Sequence, residues 1–236
     1  TPPRLPRRVP RVSLAEAAAL LRGGGLVAIP TETVYGLAAN ALDDAAVRSI
    51  FAAKRRPVDH PLILHARDPR PYALFDERAE RLAGFWPGPL TLVLPARPGS
   101  GVAPSVSGGR DTIAVRCPDH PEALALLDCL AFPLAAPSAN RFGAVSPTTA
   151  EHVIAAFPEL AVLDGGPCEV GVESTIVDLT GPEPSVLRPG GVPAEAITLA
   201  LGEALGGVSA TPAPGTLPSH YAPRARVVVV ENAVFH

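Results

Sequence analysis

The amino-acid sequence predicts an α/β (α+β-like) domain built on a mixed β-sheet. Short apolar runs closed by proline or glycine alternate with helical stretches along most of the chain. Strands and helices do not follow one another one for one, as a purely parallel βαβ sheet would require, so the sheet is expected to be mixed. Of the 236 residues, 47% are hydrophobic and 18% charged, which is enough apolar material for one large core and too little charge for a disordered chain.

Each element has a local cause. Residues 13–16 read Ser-Leu-Ala-Glu, a capping box that opens an Ala/Leu helix ended by the glycines at 23–25. Residues 26–29 are a short buried strand. Pro30 closes it, and TETVYGL at 31–37 leads into a stretch of helical character. Asp43 or Asp44 caps a helix reaching Lys54, Pro57 ends it, and 61–65 (PLILH) form a second strand. Residues 76–85 are helical, 90–94 a strand ending at Pro95, 112–116 (TIAVR) an alternating strand and 121–130 a helix. Residues 133–136 are a short strand that delivers Pro137-Ser138-Ala139-Asn140. A helix over 148–157 is expected with Ser146 or Thr148 near its cap, then strands over 161–163, 174–178 and 185–187 and a helix over 194–205. The chain thus divides into a basic arm (1–12), a domain (13–205), a linker (206–223, GGVSATPAPGTLPSHYAP) and the first strand of a further unit (224–236) that is expected to be cut short.

Composition and absent motifs exclude several functions. The net charge of −3 is unlike the basic balance of a dedicated nucleic-acid binder. Arg4, Arg7, Arg8 and Arg11 make a basic arm, read as a solvated tail. Cys117, Cys129 and Cys168 lack CxxC spacing and are odd in number, against a disulfide framework or zinc site and in favour of buried free thiols. No apolar run is long enough to span a bilayer, and Glu16 and Arg22 interrupt any signal-peptide pattern, so a cytoplasmic protein with no membrane partner is expected. There is no GxxxxGK[ST] loop, no GxGxxG after the first strand, no HExxH and no GxSxG elbow.

What remains is arginine, lysine, hydroxyls and amides. Lys54-Arg55-Arg56 stands at a helix end, where cations complement the dipole, but also where a strand-end ligand site would lie in an open α/β sheet. Ser138 and Asn140 follow a short strand and are either an ordinary turn or part of a site. Gly108-Gly109 would let a ligand approach the backbone, or make a turn, and Arg116 would clamp a carboxylate in two-pronged fashion or lie on the surface. GVESTIVD at 171–178 puts small hydroxyls at a strand start, and RPGG at 188–191 follows another strand. His220-Tyr221 sits in the linker, where only docking would explain it. The inventory suits holding and positioning a polyanion better than covalent catalysis.

Together, PTETVYGLAANA, AAKRRPVDHPLILH, GPLTLVLPA, TIAVRCPDH, APSANRFGAVSPTTAEHV, GVESTIVDL and VLRPGG resemble the threonylcarbamoyl-AMP synthase family, over residues 13–205 and in the family's order. PGTLPSHYAP resembles the joint between the two domains of its longer members. The resemblance implies a YrdC-like fold, a twisted mixed β-sheet with flanking helices around a central ligand-binding cavity. It implies formation of L-threonylcarbamoyl-adenylate and pyrophosphate from L-threonine, bicarbonate and ATP with Mg2+, for modification of adenosine at tRNA position 37. A tRNA or a downstream threonylcarbamoyl transferase would be the macromolecular partner.

The family's KxR…SxN set falls on Lys54, Arg56, Ser138 and Asn140 as catalytic residues. The resemblance assigns ATP to Arg56, His60, Thr112, Ser138, Ser146, Arg188 and Tyr221, and threonine to Thr33, His65, Arg116, Ala136 and Ser174. It assigns no metal ligand. The chain departs from the family at His60, where asparagine is common, so ATP binding is expected to depend more strongly on pH. Carbamoyl-adenylate chemistry, RNA binding without catalysis, and sensing of ATP or threonine remain as alternatives.

Overall fold

Alternation along the strands sorts the apolar side chains onto the two faces of one sheet and sets a few polar ones beside the smaller cluster. A computed structural model describes residues 11–207 and residue 211. In chain order the elements are α1 (Leu14–Arg22), β1 (Val27–Ile29), β2 (Gly36–Asn40), α2 (Asp44–Lys54) and β3 (Ile63–His65). Then come α3 (Glu77–Leu82) with a 3-10 turn, β4 (Leu90–Pro95), α4 (Pro104–Ser107), β5 (Thr112–Arg116) and α5 (Pro121–Cys129). The rest are β6 (Leu134–Ala135), α6 (Ala150–Ala156), β7 (Ala161–Val162), β8 (Thr175–Asp178), β9 (Ser185–Arg188) and α7 (Ala194–Leu201).

Most starts and stops are where local chemistry puts them. Ser13 Oγ accepts from the Glu16 N–H while the Glu16 carboxylate accepts from Ser13 N, the expected box. Asp43 caps α2 by accepting from the N–H groups of Ala45 and Ala46. Three expectations are corrected. The stretch after TETVY is strand β2, not helix: Gly-Leu-Ala-Ala is helix-like in composition, but pairing with β1 and β6 on its two edges overrides that preference. Helix α6 begins at Ala150 rather than at 148, because Thr149, next to Thr148, is its cap and accepts from His152 N. Helix α7 stops at Leu201 because Gly202 adopts a left-handed φ of 71°. Of the two readings of Gly108-Gly109 the turn is the one seen: it closes the short α4, with Gly108 at φ 63°. The thiols of Cys117, Cys129 and Cys168 are free, but Cys129 is exposed.

The described strands form one mixed sheet in the order β7-β1-β2-β6-β3-β5-β4-β8-β9. Pairs β1/β7, β3/β5 and β4/β8 are parallel, and the other neighbours are antiparallel. One face carries Leu37, Leu64, Leu92, Val115 and Val177, packed with residues of α2, α3, α4, α6 and α7 in the main core. The opposite face differs from end to end. Over β1, β2 and β6 it carries Val27, Ile29, Ala38 and Leu134, covered by Ala17, Leu21, Leu126 and Leu127 of α1 and α5. Over β3, β4, β5 and β8 it carries a small apolar cluster, Ile63, Val93, Ala114 and Ile176. Period-two geometry puts His65, Thr91 and Arg116 on that same face.

Both ends of the expected domain are engaged. Arg11, assigned to a solvated arm, bridges to Val162 and pairs with Asp164 at 2.9 Å. Gly206 and Thr211, assigned to the linker, bond to the Pro184 carbonyl (2.8 Å) and the Asp178 carboxylate (2.6 Å). Tyr221 and the expected last strand lie outside the described residues. Among the described residues, no helix is long and apolar enough to cross a membrane.

The first glycine of RPGG has a packing cause. A Cβ at Gly190 would stand 2.3 Å from the Glu173 carbonyl oxygen and 2.5 Å from Thr175 N, both backbone atoms that cannot swing aside. Gly190→Ala should therefore destabilise the fold by about 1–3 kcal/mol. Urea unfolding checks this, and an unchanged midpoint would refute the close approach.

Candidate active site

The loop between β1 and β2, residues 30–35, is the front wall of a narrow polar cleft. Thr31, Thr33, Arg56, His65, Arg116 and Ser138 line it, with Val34, Gly36, Ile63, Ala136, Pro137, Glu173 and Arg188. The carboxyl ends of β3 and β5 deliver His65 and Arg116 side by side, because these residues are register partners in a parallel pair.

Arg116 is the centre of the front half. It is 3% exposed. Its Nε donates to the Gly88 carbonyl at 3.2 Å and its Nη2 to Thr33 Oγ1 at 3.0 Å. The same Nη2 lies 2.7 Å from Glu32 Oε1. Thr31 Oγ1 meets Thr33 Oγ1 at 2.9 Å and donates to the Val34 carbonyl at 2.6 Å, which fixes the loop. Next to this guanidinium, His65 is fully buried; burial first and the Arg116 charge second push its imidazole down to about 3. His65 is therefore a neutral ring at physiological pH.

The end of α2 builds the opposite side. Arg55 takes a left-handed φ of 55° as the helix cap, and this turn sends its two neighbours inward. Lys54 is 2% exposed and does not line the cleft. Its ammonium donates to the carbonyls of Asn140 (2.5 Å) and Ser138, clasping the loop after β6. Arg56 lines the cleft, donates to the Pro61 carbonyl at 2.9 Å and lies 5.8 Å from the Phe142 ring centre. Backbone bonds from Leu37 N to Pro137 O and from Ala139 N to Tyr35 O, both 2.7 Å, stitch the Ser138 loop to β2. Asn140 is buried and spends its amide on the carbonyls of Arg141 (2.9 Å) and Ala144 (2.6 Å).

Of the predicted residues, Thr33, Arg56, His65, Arg116, Ala136, Ser138 and Arg188 come together on the cleft wall. Lys54 and Asn140 stand behind it as the frame of the Ser138 loop. Ser174 is also behind it: its hydroxyl meets Thr91 Oγ1 at 2.8 Å and accepts from Arg188 Nη2 at 3.0 Å. Ser146 donates to Glu173 at 2.6 Å, and Glu173 reaches Arg188 at 3.6 Å. Thr112 starts β5 opposite Pro95 and does not line the cleft. His60 sits edge-on to Phe142 at 5.6 Å, beside rather than on the wall. Sequence reasoning passed over Glu32, Thr91 and Glu173. Glu32 and Glu173 lie within the quoted motifs; Thr91, a polar residue inside an apolar strand, was the available signal for the third.

The turn after α2 (Arg56) and the ends of β5 (Arg116) and β9 (Arg188) bring three guanidinium groups and several hydroxyls into one cleft of a mixed α/β sheet, which defines the class of domains with an anion-binding strand-end cleft. The comparisons narrow it. The family profile described as "Telomere recombination" (Sua5/YciO/YrdC) matches residues 19–190. The chain belongs to this Sua5/YciO/YrdC family. It is 49% identical to the threonylcarbamoyl-AMP synthase of Pyrococcus abyssi (strain GE5 / Orsay) over 95% of this chain and 70% of that protein. It is 44% identical to the threonylcarbamoyl-AMP synthase of Bacillus subtilis (strain 168) over 93% of this chain and 67% of that one. The crystal structure of P. abyssi Sua5 complexed with L-threonine superposes with a TM-score of 0.85 at 47% identity, over 94% of this chain and 70% of that one.

Lys54 makes the site sensitive to pH in a defined direction. Burial first, and the Arg56 charge second, push its ammonium from 10.5 down to about 7. Between those values the unfolded chain binds more protons than the folded one, so stability rises with pH. Wild type should gain stability relative to Lys54→Met as pH is raised from about 7 to about 10. Urea unfolding of both proteins across that range checks it; a flat difference would refute it.

Proposed function

We propose that the chain is an L-threonylcarbamoyladenylate synthase, joining L-threonine, bicarbonate and ATP into threonylcarbamoyl-AMP with release of pyrophosphate. The observation that carries this reading is the division of the guanidinium groups: Arg116 with Thr33 on one wall, Arg56 and Arg188 coming from other elements of the same cleft. One guanidinium suits a single carboxylate and two suit a polyphosphate.

In this reading Arg116 and Thr33 take the threonine carboxylate and neutral His65 packs beside the amino acid. The threonine amine and bicarbonate give a carbamate with loss of water. A carbamate oxygen then attacks the α-phosphorus, and pyrophosphate leaves in line. Such a transfer asks for positioning and charge neutralisation rather than a protein nucleophile. Arg56 and Arg188 neutralise the phosphates, and Ser138 on the same wall orients the nucleotide, while Ser146 acts through the Glu173 that it shares with Arg188. Lys54 acts through the Ser138 loop that it clasps. Among the described residues no group of three or more His, Cys, Asp or Glu is placed to hold a metal ion, and Glu173 is the one carboxylate on a cleft lined by arginines. Mg2+ in this reading enters with the ATP substrate, and the arginine-lined cleft suits the phosphates rather than the metal. The product would be consumed in tRNA modification at position 37 by a separate transferase.

Pyrophosphate release by the 236-residue chain is the direct test. Release that requires both L-threonine and bicarbonate is expected; ATP breakdown indifferent to either would sink the reading. His60 supplies a second measurement. Burial, then the Arg56 charge, hold it below its ordinary 6.5, with Asp59 pulling up and Arg110 pushing down, so it is neutral at pH 7 without ligand. A triphosphate beside it raises its pKa, so binding takes up a proton and ATP affinity weakens from about pH 6 to about pH 8. His60→Asn should flatten this dependence; parallel curves would count against it.

A further inference from the structure

We propose that Glu32 is a positioning residue for Arg116: it holds the guanidinium that takes the threonine carboxylate, and thereby sets affinity for the amino acid without touching it. This rests on the functional reading above. Thr31 and Thr33 line the cleft, while Glu32 between them does not. Its carboxylate is buried against Arg116 instead, the two residues being 5% and 3% exposed. Oε1 lies 2.7 Å from Nη2, yet neither carboxylate oxygen has a hydrogen-bond partner, so the contact is one of charge.

This arrangement leaves a specific job. The hydrogen bonds that Arg116 makes use Nε, to the Gly88 carbonyl, and Nη2, to Thr33. Nη1 makes none among the described residues, and Arg116 lines the cleft, so Nη1 is the donor offered to a ligand. A buried guanidinium without a countercharge turns toward the nearest other anion or water, and its free donor loses its aim. Glu32 supplies that countercharge from outside the cleft, where substrate does not displace it. Its removal should fall on the ligand that Arg116 binds and spare the nucleotide held by Arg56 and Arg188.

The test is steady-state kinetics of pyrophosphate release by the full chain carrying Glu32→Gln or Glu32→Asp. Glu32→Gln should raise the KM for L-threonine about tenfold or more, with kcat at saturating threonine within about threefold and the KM for ATP unmoved. Glu32→Asp keeps the charge and should rescue most of the loss. Should Glu32→Gln not fold, Glu32→Asp decides alone, with a rise of about threefold in threonine KM expected because the shorter acid draws back from Arg116. An unchanged threonine KM overturns the proposal, as does a parallel rise in both KM values, which is the mark of a merely structural residue. Wild type tested alongside separates the two levels: if it shows no threonine-dependent release, the functional reading has failed, and not this inference alone.

Discussion

A buried guanidinium is the constraint around which the site is arranged. Taking Arg116 out of water costs several kcal/mol unless charge and hydrogen bonds replace the solvent. Glu32 provides the charge, and Thr33 with the Gly88 carbonyl provides the bonds. These partners come from the loop between the first two strands and from the approach to β4, so the ion pair ties distant segments to the end of β5. Removing one partner of such a pair costs about 3–5 kcal/mol because the other is left buried and uncompensated. The parallel register of β3 and β5 then sets His65 against the same cation, and this neighbour, added to full burial, keeps the imidazole neutral. Burial and one guanidinium together set the electrostatics of the front half.

The back half is held by backbone. The Lys54 ammonium binds the carbonyls of Ser138 and Asn140, which makes a cation into a clasp for a loop. The φ of 55° at Arg55 separates the fates of adjacent residues, placing Lys54 behind the wall and Arg56 on it. Two backbone bonds between the Ser138 loop and the Tyr35 region close the frame. Loops that carry function are thus fixed by rigid elements on either side, as binding loops on α/β scaffolds generally are.

Residues carrying strong local signals were legible. Ser13 with Glu16, Asp43, and the apolar runs ILH and TIAVR behave as their local chemistry directs, because a capping hydroxyl or carboxylate and an alternating apolar pattern act within a few residues. Strand β2 was not legible. GLAAN is small and helix-tolerant, and only its pairing with β1 and β6 makes it extended. Gly108 invited a ligand-binding reading because local sequence does not distinguish a helix-ending glycine from one that meets a substrate. The site's predicted residues divide the same way. Thr33, Arg56, His65 and Arg116 reach the cleft, while Lys54, Asn140 and Ser174 are equally buried but serve as its frame.

The sequence by itself determined the α/β class, the starts of the first two helices and, through motifs in a fixed order, the family. These depend on side-chain chemistry and on contacts within a turn or two. Tertiary structure alone decided which of the motif residues face the cleft, that Glu32 neutralises Arg116 from behind, and that Glu173 bridges Ser146 and Arg188. The physical reason is that sheet register and a left-handed turn choose the direction of each side chain, and both arise from pairings between segments far apart in the chain.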